Sequence, residues 1–130
     1  MGTGKRIGAG AALVAALALA AVAPAAAAPA KDGDVRVAGR CTGATTSKLK
    51  LSREDGMLEV EFEVDQNRVG VRWAVVLRQN GAVVRRTTGV TRGRSGSFEV
   101  RRLVADRPGT DTITAVATRR GERCTARASI

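Results

Sequence analysis

Hydrophobic and polar side chains alternate with a period of two along most of the chain after residue 33. The clearest example is residues 57–64, where Leu58, Val60, Phe62 and Val64 are separated by single glutamates. Such alternation is typical of a β-strand that packs one face against a core and exposes the other to solvent. It predicts a half-buried strand here and an all-β domain overall.

Turn signals divide the alternating segments into short strands. Strands are predicted within residues 35–41, 48–52, 57–64, 72–78, 82–88, 95–104, 112–118 and 124–130. Asn80-Gly81 is the preferred dipeptide of a type I′ hairpin turn, so the strands on either side of it should run antiparallel. Short strands with a turn every 8–12 residues or so predict an antiparallel β-sandwich, and a small β-barrel is the alternative.

Two details favour an immunoglobulin-like sandwich of about seven to eight strands. Trp73 lies on the third core strand, where immunoglobulin-like domains often place a tryptophan, and it shares an inward row with Val75 and Leu77. Residues 108–115 resemble the corner that leads into the sixth strand of bacterial immunoglobulin-like domains, although this chain has no tyrosine to mark it. We therefore expect Trp73 to be a core residue.

The N-terminus has the features of an export signal. Lys5 and Arg6 form a positively charged start, residues 7–22 are apolar, and residues 23–30 are small residues and prolines. Residues 1–27 are therefore predicted to be a signal peptide. A retained transmembrane helix is the alternative, but the apolar run is shorter than the roughly 20 residues that a bilayer requires.

The cleavage site sets the start of the mature protein. A cut before Ala28 is favoured over a cut before Pro29, because a proline directly after the cleaved bond is unfavourable, and a cut after Ala30 is the alternative. The mature chain would then have a flexible N-terminus of residues 28–33 and a single β-sandwich domain of residues 34–130. The predicted location is extracellular.

Cys41 and Cys124 are the only cysteines. In an exported chain of this size they predict one disulfide, which would tie the first strand to the last. Metal binding is the rival use, but two cysteines without any histidine cannot complete a usual zinc site. Neither a metal nor another cofactor is predicted.

The chain is strongly basic, with 22 Lys+Arg against 12 Asp+Glu. Without Lys5 and Arg6, 20 basic residues face the same 12 acidic ones, a net charge of +8. Most of the basic residues are arginines, which suit bidentate contacts to phosphate or carboxylate. The charge favours polyanions such as cell-wall phosphate polymers, nucleic acid or acidic polysaccharide. Alternatively, the composition reflects a GC-rich genome and keeps the protein soluble.

One candidate binding face follows from the alternation. If Trp73, Ile113 and Cys124 point inward and their strands are neighbours, the residues between them share the outer surface of one sheet. The candidate anion-binding residues on that surface are Arg72, Arg78, Arg123 and Arg127. The alternative is an ordinary solvated face in which threonine reflects strand propensity.

No catalytic constellation is apparent. The absence of histidine excludes Ser-His and Cys-His nucleophilic sites. Glu59, Glu61 and Glu63 could form a cation row or an acid/base pair, but a solvated face with cross-strand ion pairs to bases such as Arg101 is favoured. We therefore expect no enzyme activity.

Residues 65–70 resemble part of a calcium-binding loop. Asp65, Asn67 and Gly70 match its first, third and sixth positions, but Val76 stands where the bidentate glutamate is required. A plain turn is predicted.

The chain as a whole resembles a group of uncharacterised small secreted proteins of high-GC Gram-positive bacteria. The shared features are a cysteine after the first strand, a tryptophan after the turn at residues 65–70, Ser-Phe-Glu-Val at 97–100, Arg-Pro-Gly at 107–109 and Gly-Glu-x-Cys at 121–124. The resemblance covers most of residues 35–130. It implies an immunoglobulin-like fold and carries no activity.

These observations predict a secreted, non-enzymatic module, monomeric and without a membrane anchor after cleavage, that binds an anionic envelope polymer or an extracellular protein. No base-specific contact to nucleic acid is expected. The alternative is a small secreted enzyme inhibitor, whose reactive loop would be residues 91–97 with Arg92 and Arg94 offered to an acidic specificity pocket. Such a loop would have to be extended, and Gly93 and Gly96 argue for mobility instead.

Overall fold

The protein is described by a computed structural model that covers residues 2–4, 8–16, 18, 20 and 33–130. The described residues form nine strands: β1 (Val35–Ala38), β2 (Arg40–Cys41), β3 (Thr46–Glu54), β4 (Met57–Asp65), β5 (Arg72–Gln79), β6 (Ala82–Val90), β7 (Ser97–Ala105), β8 (Thr112–Arg119) and β9 (Glu122–Ser129). They make two antiparallel sheets, ordered β1-β3-β4-β7 and β2-β9-β8-β5-β6. The predicted β-sandwich is confirmed, and the sheets do not close into a barrel.

Part of the predicted signal peptide, residues 1–27, and most of the predicted flexible N-terminus, residues 28–33, lie outside the described residues. In the part of the chain that the structure describes, no helix is long and apolar enough to cross a membrane.

The core consists of the inward rows that alternation predicted. Trp73 and Leu77 on β5, and Ile113 and Ala115 on β8, are completely buried. The opposite sheet contributes the hydrophobic rows of β3 and β4: Leu49, Leu51, Leu58, Val60, Phe62 and Val64. Because both sheets bury one row from each central strand, the outward row is left to carry charge and polarity.

Two tight hairpins confirm the turn chemistry. Asn80 and Gly81 have φ angles of 49° and 86°, and Asp55 and Gly56 have φ angles of 49° and 77°. A type I′ turn requires positive φ at both central residues, which asparagine, aspartate and glycine tolerate best. These turns set the pairing of β5 with β6 and of β3 with β4.

The first predicted strand, residues 35–41, is divided between the two sheets. β1 pairs with β3, β2 pairs with β9, and the chain crosses at Gly39. A β-carbon at position 39 would contact the Ser47 side chain and lie 3.0 Å from the Thr125 carbonyl oxygen. Glycine therefore allows one short segment to serve both sheets, which accounts for the ninth strand.

The strand order places β8 between β5 and β9, the neighbour relation that the candidate face required. The run β9-β8-β5-β6 matches the G, F, C and C′ strands of immunoglobulin domains. In the other sheet, β4 is an additional strand, paired on one side with β3 and on the other with β7. Trp73 consequently lies in the middle of the five-stranded sheet.

The predicted disulfide is present and joins Cys41 to Cys124. The two residues are direct register partners on β2 and β9, with α-carbons 4.0 Å apart. The bond therefore crosses two strands of one sheet, whereas the bond of antibody domains joins the two sheets. A disulfide of this kind is typical of proteins that mature in an oxidising compartment.

At one end of the sandwich, Asp111 is fully buried and accepts hydrogen bonds with both carboxylate oxygens. Its Oδ1 accepts from Gln79 Nε2 at 2.9 Å and from Asn80 Nδ2 at 3.0 Å, and its Oδ2 accepts from the Arg107 backbone N–H at 3.0 Å. Burial raises the pKa of Asp111, but these hydrogen bonds outweigh burial and hold the pKa below its ordinary value. The carboxylate ties the β5–β6 turn to the β7–β8 corner.

We predict that Asp111→Asn lowers the free energy of unfolding by about 2–4 kcal/mol at neutral pH. The NH₂ group of the asparagine would replace one carboxylate oxygen and would then face an N–H donor that now hydrogen-bonds to that oxygen. Since the folded-state pKa is depressed, the contribution of the carboxylate is present above the unfolded-state pKa and is lost as pH falls through the folded-state value. Urea unfolding at pH 7 and about pH 3 should show the difference between wild type and variant shrinking in acid. Asp55→Asn, at an exposed turn position, is the control. Equal effects at the two positions would refute this role for Asp111.

Candidate anion-binding face

The outer surface of the five-stranded sheet holds all four arginines predicted for the candidate face. Arg72 and Arg78 lie on β5 and Arg123 and Arg127 on β9. They point away from the core because they alternate with buried residues of the same strands, and β8 lies between the two strands. We call this surface the arginine face.

Strand register sets the spacing of these side chains. Arg78 is the register partner of Thr114, and Thr114 is the partner of Arg127, so the three form one row across β5, β8 and β9. Neighbouring strands are about 4.8 Å apart, which puts the α-carbons of the two arginines roughly 10 Å apart. Thr114 lies between the two arginines in this row, and a hydroxyl with two guanidinium groups is a set of donors suited to an anionic oxygen cluster.

Two further arginines belong to this face and were not predicted from the sequence. Arg40 on β2 and Arg86 on β6 end a second row that runs through Thr125, Val116 and Val76. Arg40 joins this sheet only because the chain changes sheets at Gly39. The sequence did not show that Arg86 points outward, because the adjacent Arg85 is also an arginine. In addition, a bulge opposite Leu77 and Arg78 interrupts the regular pairing of β6 with β5.

The arginine face carries positive charge without compensation. In the described part of the chain, none of its six arginines takes part in an ion pair: Arg40, Arg72, Arg78, Arg86, Arg123 and Arg127. The single acid in the strands of this sheet is Glu122, which lies on an inward row and binds Arg119 at 2.6 Å. The face therefore presents an uninterrupted positive potential.

On the outer face of the four-stranded sheet, by contrast, basic and acidic side chains form ion pairs with each other. Arg101 Nη2 contacts Glu61 Oε1 at 2.6 Å and Glu59 Oε1 at 3.0 Å. Lys50 and Lys48 bind Glu61 and Glu63 respectively, each at 3.3 Å. The glutamate row is thus a solvated, charge-paired surface, as the favoured interpretation predicted.

The electrostatics of Glu61 agree with that pairing. Partial burial raises the pKa of Glu61, but its hydrogen bonds and charge interactions with Arg101 and Lys50 outweigh burial and lower the pKa overall. A carboxyl group held ionised in this way is poorly suited to act as a general acid.

Trp73 is a core residue, as predicted. Its ring is fully buried, and its Nε1–H donates to Gln66 Oε1 at 3.1 Å. The Arg119 guanidinium carbon lies 5.9 Å from the ring centroid, a cation–π distance. The ring is therefore not exposed as a stacking platform for sugars or bases.

Residues 91–97, the reactive loop of the inhibitor alternative, form a closed hairpin end. The Arg92 N–H donates to the Ser97 carbonyl at 2.8 Å, and the Ser97 N–H donates back to the Arg92 carbonyl at 3.1 Å. Gly93 and Gly96 have φ angles of 69° and 67°. The loop is folded back on itself, so it lacks the extended conformation that an inhibitor of this kind would present.

Comparison with protein-family models, curated proteins and solved structures found no match. The resemblance of residues 35–130 to small secreted proteins of high-GC Gram-positive bacteria therefore stays a prediction.

Proposed function

We propose that the protein is a secreted, non-enzymatic β-sandwich module that binds an anionic polymer of the cell envelope through the arginine face. The observation that carries the proposal is the charge asymmetry between the two sheets. One outer face combines six arginines that form no ion pair with any described residue and has no acid on its strand rows, and the other pairs Glu59, Glu61 and Glu63 with lysine and arginine.

This asymmetry argues against composition alone as the origin of the arginines. A coding bias acts on the whole chain and would enrich arginine on both outer faces without removing acids from one of them. Here the acidic residues Glu59, Glu61, Glu63 and Glu99 all lie on the four-stranded sheet. Concentration of one sign of charge on one flat surface is the arrangement that attracts an extended polyanion.

The chemistry of the arginine face suits phosphate better than an isolated carboxylate. Guanidinium groups bind phosphate oxygens bidentately, and threonine hydroxyls between them add neutral donors. Successive outward residues along a strand are about 6.8 Å apart, and Arg123, Thr125 and Arg127 follow one another at this spacing on β9, so a polymer lying along β9 would meet a donor at each step. Cell-wall phosphate polymers are the class that this spacing and the predicted export favour.

Secretion and the lack of enzyme activity have separate support. The predicted export signal would bring Cys41 and Cys124 into an oxidising compartment, which agrees with the disulfide between them. Both cysteines are occupied by that bond, the whole chain contains no histidine, and the glutamate row is held in ion pairs. Cysteine and histidine are therefore not available for nucleophilic or general-base catalysis.

The test is charge reversal on the arginine face. The face variant changes four arginines to glutamate: Arg72, Arg78, Arg123 and Arg127. The control variant changes the same number of exposed arginines elsewhere, with no ion pair among the described residues: Arg68, Arg94, Arg102 and Arg107. Both variants have the same net charge, so diffuse attraction to a polyanion falls equally in both.

We expect wild-type protein to bind inorganic polyphosphate with an affinity whose logarithm falls linearly with the logarithm of NaCl concentration. The face variant should lose at least about tenfold more affinity than the control and show a shallower salt dependence, since fewer counterions are released. Titration calorimetry at several salt concentrations measures both. Equal losses in the two variants would mean that only net charge acts, and the proposed face would be abandoned.

A further inference from the structure

The side of the sandwich between β6 and β7 is open. β6 is the last strand of the five-stranded sheet and β7 the last strand of the four-stranded sheet, and the two lie next to each other. A groove of about 390 Å³ runs between their edges. Apart from the bridge between Arg92 and Ser97, neither outer edge has a strand partner among the described residues.

The floor of this groove is apolar. Phe98 and Val100 of β7 lie in the groove and remain 9% and 8% exposed. Across from them, Gly89 of β6 is so close that a β-carbon there would lie 2.7 Å from Phe98 Cγ. The absence of a side chain at position 89 brings the β6 backbone onto the Phe98 ring and leaves the space beside it open.

The ends of the groove are positively charged. Arg85 and Arg92 line it, and neither forms an ion pair with another described residue. β6 contains no acidic residue, and Glu99 is the only acid among the residues that line the groove. Arg85 lies on the inward row of β6 with Thr87 and Gly89. Arg92 lies beyond β6 and on the opposite row, and its backbone is already paired with Ser97, so Arg85 is the cation beside the free part of the edge.

An exposed strand edge can pair with another strand, and the positive charge along this edge favours some strands over others. A second copy of this chain would bring its own basic edge and be repelled. A strand with an acidic residue opposite Arg85 would gain a cross-strand ion pair there while its apolar side chains cover Phe98 and Val100. Charge complementarity therefore selects an acidic peptide and disfavours self-association.

We propose that this groove binds an extended segment of a partner protein that adds a strand to the free edge of β6. Its inward side chains would be acidic where they meet Arg85 and apolar where they cover Phe98 and Val100. Main-chain hydrogen bonds to β6 would supply affinity, and Arg85 would supply specificity. The site is separate from the arginine face and does not depend on polymer binding.

The probe is the peptide acetyl-Glu-Thr-Val-Thr-Val-Thr-Glu-amide, in which glutamates and valines share one face of a strand. Its counterpart with lysine in place of both glutamates is the control peptide. Both are titrated into ¹⁵N-labelled protein and followed by NMR. We expect the acidic peptide to shift the backbone amides of Thr87, Thr88, Phe98 and Val100, and the lysine peptide to shift none of them.

Variants of the protein test the role of charge. Arg85→Glu should weaken binding of the acidic peptide by about fivefold, the size of a partly exposed charge pair, whereas the exposed-site control Arg68→Glu should leave it unchanged. No shift with the acidic peptide, or shifts confined to the arginine face, would overturn the proposal. It would also fail if Arg85→Glu and Arg68→Glu had equal effects, since the peptide would then respond to net charge alone.

Discussion

Replacing Trp73 by alanine is expected to lower the free energy of unfolding by about 3–5 kcal/mol, a large part of the stability of a domain of this size. The ring is completely buried at the middle of the five-stranded sheet, and alanine would leave a cavity that the neighbouring strands cannot fill. The indole N–H also donates to Gln66, which would lose its partner. Urea unfolding followed by circular dichroism measures the loss.

Trp73→Phe separates packing from hydrogen bonding. Phenylalanine keeps most of the buried volume but cannot donate to Gln66 Oε1, so a loss of about 1–2 kcal/mol is expected. In wild-type protein the fluorescence of Trp73 should be blue-shifted and poorly quenched by iodide. A red-shifted, easily quenched signal would place the ring at the surface and contradict its assignment to the core.

Removal of the disulfide is expected to cost about 2–5 kcal/mol, because the bond closes a loop that contains most of the domain and restricts the unfolded chain. The double change Cys41→Ala with Cys124→Ala avoids leaving a free thiol or a buried hydroxyl at position 124. Wild-type protein treated with a reductant should lose a similar amount. Unfolding curves of the three samples provide the comparison.

The disulfide variant should also reveal which part of the fold depends on the bond. β2 has only two residues, and its ladder to β9 is short, so hydrogen exchange should accelerate most at Thr42 and Arg123, whose backbones are bonded beside the bridge. The Trp73 region should change little. Two titratable thiols in unfolded, non-reduced wild-type protein would show that the bond is absent, and equal stability of the oxidised and reduced protein would show that it contributes nothing.

The local sequence was enough to predict which side of each strand faces the core. Alternation places Leu58, Phe62, Trp73 and Ile113 inward because a strand reverses its side chains at every residue, and this relation needs no knowledge of neighbouring strands. The turn at Asn80-Gly81 was equally local, since positive φ at two successive positions is a property of those residues. With only two cysteines in the chain, the disulfide pairing was determined as well.

Which strands are neighbours could not be predicted from the local sequence and is seen in the three-dimensional fold. Alternation cannot show that residues 35–41 change sheets at Gly39, because that crossing depends on the approach of Ser47 and Thr125 from distant parts of the chain. For the same reason Arg40 and Arg86 joined the arginine face only once β2 and β6 had been placed at its two edges. Burial of a strand face follows from the local alternation of residues, whereas pairing between strands is a long-range interaction. The groove between β6 and β7 arises from the arrangement of strands and therefore could not be predicted from alternation.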